Sequence, residues 1–116
     1  MEEMVENGEI DTPRTISVLK EHLLPLINDG VDAIALGCTH YPFLRRQIEE
    51  IVGLSVAVVD SGGAVARRLN QVLAHDNLLS TQKGQDLYYT TGEAGKFMRV
   101  AGKLLGREIE AMKVEL

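Results

Sequence analysis

The chain reads as an α/β protein with a mostly parallel sheet and flanking helices. Three observations carry that reading. Segments with apolar residues at helical spacing alternate with short apolar runs. One such run, Val56-Ala57-Val58-Val59, is uninterrupted, as in a strand covered on both faces. Gly8, Gly30 and Gly53 fall where these segments change character.

The elements follow in order. Residues 1–8 read as the end of a helix or a loop, stopped by Gly8. Thr12 caps a helix whose first position is Pro13, where the missing N–H is not needed. Ile16, Leu19, Leu23, Leu26 and Ile27 form its apolar stripe, and Pro25 predicts a kink or an early last turn. Residues 31–36 read as a short buried strand. A second helix is expected from Pro42 to Val52, with Leu44, Ile48, Ile51 and Val52 inward. After the 56–59 strand, Asp60-Ser61-Gly62 turns into a third helix over 62–74, with Val65, Leu69, Val72 and Leu73 apolar. Residues 75–85 are polar and turn-rich. A strand over 87–91, a helix over 93–105 and an alternating edge strand over 112–116 complete the chain.

Bulk properties exclude several classes. A chain of 116 residues, 45% hydrophobic and 25% charged, suits one small soluble domain with a real core. The formal net charge is −5, with no basic run, no Trp, three Tyr and two Phe, so no nucleic-acid partner is expected. No apolar run approaches the roughly 20 residues of a membrane span, and the acidic start is unlike a secretory signal. The single cysteine excludes an internal disulfide and fits a cytoplasmic location. No Cys, His and acid cluster has metal-ligand spacing. Gly62-Gly63 is too short for a phosphate loop.

That cysteine lies in Leu36-Gly37-Cys38-Thr39-His40-Tyr41-Pro42, where a strand ends and a helix begins. The carboxyl edge of a parallel sheet is where open α/β folds bind ligands. The following helix N-terminus favours a thiolate and offers N–H groups to an anion. A lone Cys at a strand end is also an ordinary structural residue. Cys38, Thr39 and His40, however, put a thiol, a hydroxyl and an imidazole on consecutive loop positions.

This run resembles the second cysteine motif of the glutamate racemases, in the aspartate/glutamate racemase superfamily. Aspartate racemases tend to carry Glu where this chain has His40, which favours the glutamate branch. The resemblance extends along the chain: Met4-Val5-Glu6-Asn7-Gly8 resembles the segment bearing the family's acid, which falls on Glu6. His22-Leu23-Leu24-Pro25-Leu26, Asp60-Ser61-Gly62 with Ala64-Val65-Ala66, and Tyr88-Tyr89-Thr90-Thr91-Gly92 with Phe97 match later segments in order. The family's first half, with an Asp-Ser-Gly and a Cys-Asn-Thr motif, has no counterpart here.

The resemblance implies an incomplete part of a pseudo-symmetric two-lobed racemase fold. Residues 1–59 would belong to the second lobe and 60–116 would return to the first. It implies cofactor-independent interconversion of L- and D-glutamate, supplying D-glutamate for peptidoglycan, by two thiols on opposite faces of the α-carbon. Cys38 would be one of them, and the isolated chain is therefore expected to be inactive. His40 would hold the thiol's protonation state or donate to a carboxylate; otherwise it only caps the next helix. Thr39 would bind the substrate carboxylate, or is a plain loop residue. Glu6 would stand near the substrate ammonium or the Cys38–His40 pair, or is a solvated charge. Asp60 and Ser61 read as helix caps, and His22 and His75 as surface residues.

Two other classes compete: a non-catalytic carboxylate-binding or regulatory module, and a superfamily enzyme using Cys38 as a nucleophile. The expected partners are glutamate, the missing amino-terminal half and further copies of the chain in a homo-oligomer. The last follows because the stripe Ile16/Leu19/Leu23/Leu26 and the 56–59 strand are not expected to be fully covered by the chain's own helices.

Overall fold

The computed structural model describes residues 1–115, so Leu116, the last residue of the expected edge strand, lies outside the described residues. The chain divides into two units, Met1–Val72 and Leu73–Leu116, each with its own parallel strand pair.

The first unit contains α1 (Glu2–Glu6), α2 (Pro13–Asn28), β1 (Ala33–Ala35), a 3-10 turn (Tyr41–Leu44), α3 (Arg45–Val52) and β2 (Ala57–Val59); α4 (Gly62–His75) starts in it. The Thr12 hydroxyl accepts the Thr15 backbone N–H at 3.1 Å, with Pro13 at the first helical position. The Thr15 hydroxyl donates in turn to the Glu9 carbonyl, which explains how a fully buried polar side chain is tolerated. Pro25 stays within α2, which continues to Asn28. The helix expected from Pro42 is split, because a 3-10 turn precedes the α-helical stretch. Gly53 ends α3 at φ +73°, a conformation that costs glycine little.

β1 and β2 pair in parallel, Ala33 opposite Ala57, Ile34 opposite Val58 and Ala35 opposite Val59. The Leu36 N–H to Val59 carbonyl and Ala57 N–H to Asp32 carbonyl bonds, both 2.8 Å, extend the ladder. The core comprises Leu19 and Leu23 of α2, Leu44, Ile48 and Val52 around α3, Val56 and Val58, and Met4, Val5 and Leu36.

Two sequence expectations are corrected here. The β2 run is not buried on both faces: Val56 and Val58 are buried while Ala57 and Val59 are exposed, with Val59 at 50%. Among the described residues the β1–β2 sheet has two strands, and alternating side chains point to opposite faces of such a ribbon. For the same reason Ala33 and Ala35 of β1 are exposed. The α2 stripe is also narrower than its spacing predicts, since Leu19 and Leu23 are buried and Leu26 is exposed.

The apolar positions of α4 are poorly covered. Val65 is 61% and Leu69 57% exposed, and no residue of that helix is buried.

The second unit is a single strand–helix–strand motif: β3 (Tyr88–Thr90), α5 (Ala94–Leu105) and β4 (Ala111–Lys113). Tyr88, Tyr89 and Thr90 stand opposite Ala111, Met112 and Lys113 in parallel register. Glu93 caps α5 by accepting the Gly95 and Lys96 N–H groups at 2.8 and 2.5 Å. Gly106 ends it in the left-handed region at φ +65°. Arg107 donates to Asp86 at 2.6 Å and to the Tyr88 hydroxyl at 2.7 Å, tying the segment after α5 to the start of β3.

Candidate active site

Cys38 lies beyond the end of β1, in the loop that leads to the 3-10 turn. The loop closes tightly: the Tyr41 N–H donates to the Cys38 carbonyl at 3.2 Å, and the Phe43 N–H to the His40 carbonyl at 3.2 Å. His40 is the residue before the 3-10 turn and makes no side-chain cap bond. Its ring is therefore free to face the thiol. Cys38 Sγ is 3.7 Å from His40 Nδ1.

On its other side, His40 Nε2 lies 3.4 Å from Glu6 Oε1. A carboxylate at Nε2 favours the tautomer with its proton there and leaves Nδ1 as an acceptor toward the thiol. Glu6 thus reaches the imidazole of the cysteine–histidine pair, although its side chain is 65% exposed. The carboxylate, imidazole and thiol thus lie in successive contact; in such an arrangement an imidazole can accept a thiol proton and a carboxylate can stabilise an imidazolium.

A cavity of about 560 Å³ opens at the carboxyl ends of β1 and β2, lined by residues that include Cys38, Thr39, Val59, Ser61 and Gly62. Thr39 is exposed and lies on its wall. Asp60 anchors the opposite rim. Its carboxylate accepts the Gly62 N–H at 2.8 Å, the capping contact expected at the start of α4, and also pairs with Arg45 at 2.5 Å. Arg45 reaches the Val58 carbonyl and lies 2.7 Å from Glu49. The Glu49 hydrogen bond, with Asp60 adding to it, holds the guanidinium proton more tightly than usual. This cluster joins α3 to the end of β2, which forms part of the cavity wall.

Two contributors escaped sequence reasoning. Arg45 reads as an ordinary exposed helix residue whose nearest sequence partner is Glu49. Glu2, in the same helix as Glu6, places Oε1 3.4 Å from Cys38 Sγ. The only available signal was the i, i+4 spacing of Glu2 and Glu6, which puts two acids on one helix face. His22 and His75 are exposed, and His75 pairs with its neighbour Asp76 at 2.7 Å.

Comparison with known proteins extends the picture. The profile of the Asp/Glu/Hydantoin racemase family matches residues 2–69. A glutamate racemase of Desulforudis audaxviator is 42% identical over 116 residues, covering 92% of this chain and 42% of that protein. A Bacillus cereus glutamate racemase is 37% identical over 113 residues, covering 96% of this chain and 42% of that one. Among solved structures, the Bacillus anthracis glutamate racemase isoform RacE1 superposes with a TM-score of 0.83 at 33% identity, over 98% of this chain and 43% of that one. A Francisella tularensis glutamate racemase in complex with D-glutamate gives 0.78 at 30% identity, over 97% and 43%. The chain thus spans less than half the length of the relatives it matches.

Proposed function

Because this chain belongs to the Asp/Glu/Hydantoin racemase family, we propose that it is the thiol-bearing carboxyl-terminal part of a glutamate racemase. The contacts Cys38–His40 and His40–Glu6, with Cys38 on the cavity wall, carry this reading.

Racemisation removes the α-proton from one face of the carbon and returns a proton to the other, so two acid/base groups must flank it. Cys38 serves one face. As thiolate it takes the α-proton, forming an S–H bond as the C–H bond breaks and leaving the electron pair in the carbanion. As thiol it runs the reverse step. His40 exchanges the proton with the sulfur between these roles, and Glu6 holds its tautomer. Thr39 offers its hydroxyl and backbone N–H to a substrate carboxylate. The chemistry asks for no metal or redox cofactor.

The second thiol is not among this chain's residues, since Cys38 is its only cysteine. The full activity would then belong to an assembly with the missing amino-terminal half that the resemblance implies. Residues 1–59 would form part of one lobe and 60–116 would return to the other. The product would be D-glutamate for peptidoglycan, made in the cytoplasm.

The test joins this chain to the amino-terminal portion of the Bacillus cereus relative and follows glutamate in D₂O. Deuterium should enter at the α-carbon, and Cys38→Ser should remove that exchange more severely from one enantiomer than from the other. A covalent adduct on Cys38 without exchange would instead favour a cysteine nucleophile. Glutamate binding with neither outcome would favour a carboxylate-binding module.

A further inference from the structure

The Cys38 thiol has one proton and two acceptors within reach. Sγ lies 3.4 Å from Glu2 Oε1 and 3.7 Å from His40 Nδ1. Glu2 and Glu6 project from the same face of α1, one beside the sulfur and the other behind the imidazole. Their electrostatic effects on the proton oppose each other. Glu6 stabilises an imidazolium and so draws the thiol proton toward His40. Glu2 accepts a hydrogen bond that only the protonated sulfur can donate, and it repels a thiolate. Asp60, an acid on the cavity wall, is paired with Arg45.

Glu2 is not itself a base for this proton. Ordinary carboxylates bind protons roughly four decades more weakly than ordinary thiols, so transfer from sulfur to Glu2 is strongly uphill. We infer that Glu2 is a positioning residue that holds the proton on Cys38, making the thiol, a proton donor, the resting form of the site. Glu2 and Glu6 together then bracket the cysteine–histidine pair with like charges of opposite effect, one retaining the proton and one releasing it. The consequence for turnover rests on the proton-transfer reading above. A resting thiol suits the substrate enantiomer whose α-proton faces the opposite base, so Glu2 would bias the two directions of reaction unequally. The thiol chemistry itself does not depend on that reading.

Because Cys38 is the only cysteine, alkylation of the full 116-residue chain reports on it alone. The probes are neutral iodoacetamide and anionic iodoacetate at pH 7, followed by intact mass, with thiolate absorbance in the ultraviolet as a second readout. Glu2→Gln should alkylate about two- to fivefold faster, the scale of one exposed charge interaction. The gain should be larger for iodoacetate, which the carboxylate also repels, and the thiolate absorbance should rise. Glu2→Asp, which keeps the charge, should stay nearer the unaltered chain, and Glu3→Gln should leave both rates unchanged. Circular dichroism of each variant establishes that α1 and the loop remain folded. Glu2→Gln alkylating no faster than the unaltered chain would overturn the inference. So would an equal gain from Glu3→Gln, which would indicate general surface charge. Neither result bears on racemisation, which the deuterium experiment tests separately.

Discussion

His40 and Glu6 meet across 3.4 Å although they come from separate elements, the loop after β1 and the short helix α1. The contact fixes which ring nitrogen faces Cys38. Glu6→Gln should therefore weaken His40 as the acceptor of the thiol proton. Iodoacetamide labelling of Cys38 at pH 7 should slow by about two- to fivefold, opposite in sign to Glu2→Gln. The double variant should return close to the unaltered rate, since the two charges act on one proton in opposite directions. An additive slowing in the double variant would reject that opposition.

Stability should depend most on the α2–α3 core. Leu19 and Leu44 are 1% and 0% exposed. Leu44→Ala leaves a cavity between the 3-10 turn and the helix packed on it, and should cost about 2–5 kcal/mol. Urea unfolding followed by circular dichroism measures this as a lowered midpoint.

Thr12→Ala removes the acceptor for the Thr15 N–H and a hydroxyl neighbour 2.9 Å from the Thr15 hydroxyl. The expected loss is about 0.5–2 kcal/mol, with the α2 helix still formed because Pro13 and the Leu19/Leu23 stripe remain. The same unfolding experiment checks it.

Activity should be absent from the chain alone. One thiol serves one face of the α-carbon, and His40 shares its loop. Chiral chromatography of glutamate incubated with the pure protein should detect no enantiomer conversion. Turnover in the usual enzyme range of about 1–10³ s⁻¹, abolished by Cys38→Ala, would reject the two-base account.

Association should follow from α4. Val65 and Leu69 are a turn apart on one helix face, and both are more than half exposed. Apolar burial is worth roughly 25 cal/mol per Å², so at micromolar concentration the isolated chain should sediment as more than a monomer and bind an apolar dye. Val65→Lys with Leu69→Glu should reduce both signals while leaving the Leu19/Leu44 core untouched.

The residues alone determined what depends on near neighbours. Thr12-Pro13 marks the start of a helix because a hydroxyl cap and a fixed φ act within one turn. Asp60 reads as a cap because its carboxylate reaches the Gly62 N–H two residues on. The apolar runs around 34 and 58 locate the two strands, and the loop between strand and helix locates Cys38. The tertiary structure decided what depends on partners distant in sequence. No local pattern states that Glu2 and Glu6 arrive on either side of the Cys38–His40 pair, or that Arg45 spans from Glu49 to Asp60. Nor does an apolar run reveal how many of its faces are covered. Val58 is buried and Val59 exposed because side chains alternate and the strand pair is packed on one side, a property of neighbouring elements rather than of the residues themselves.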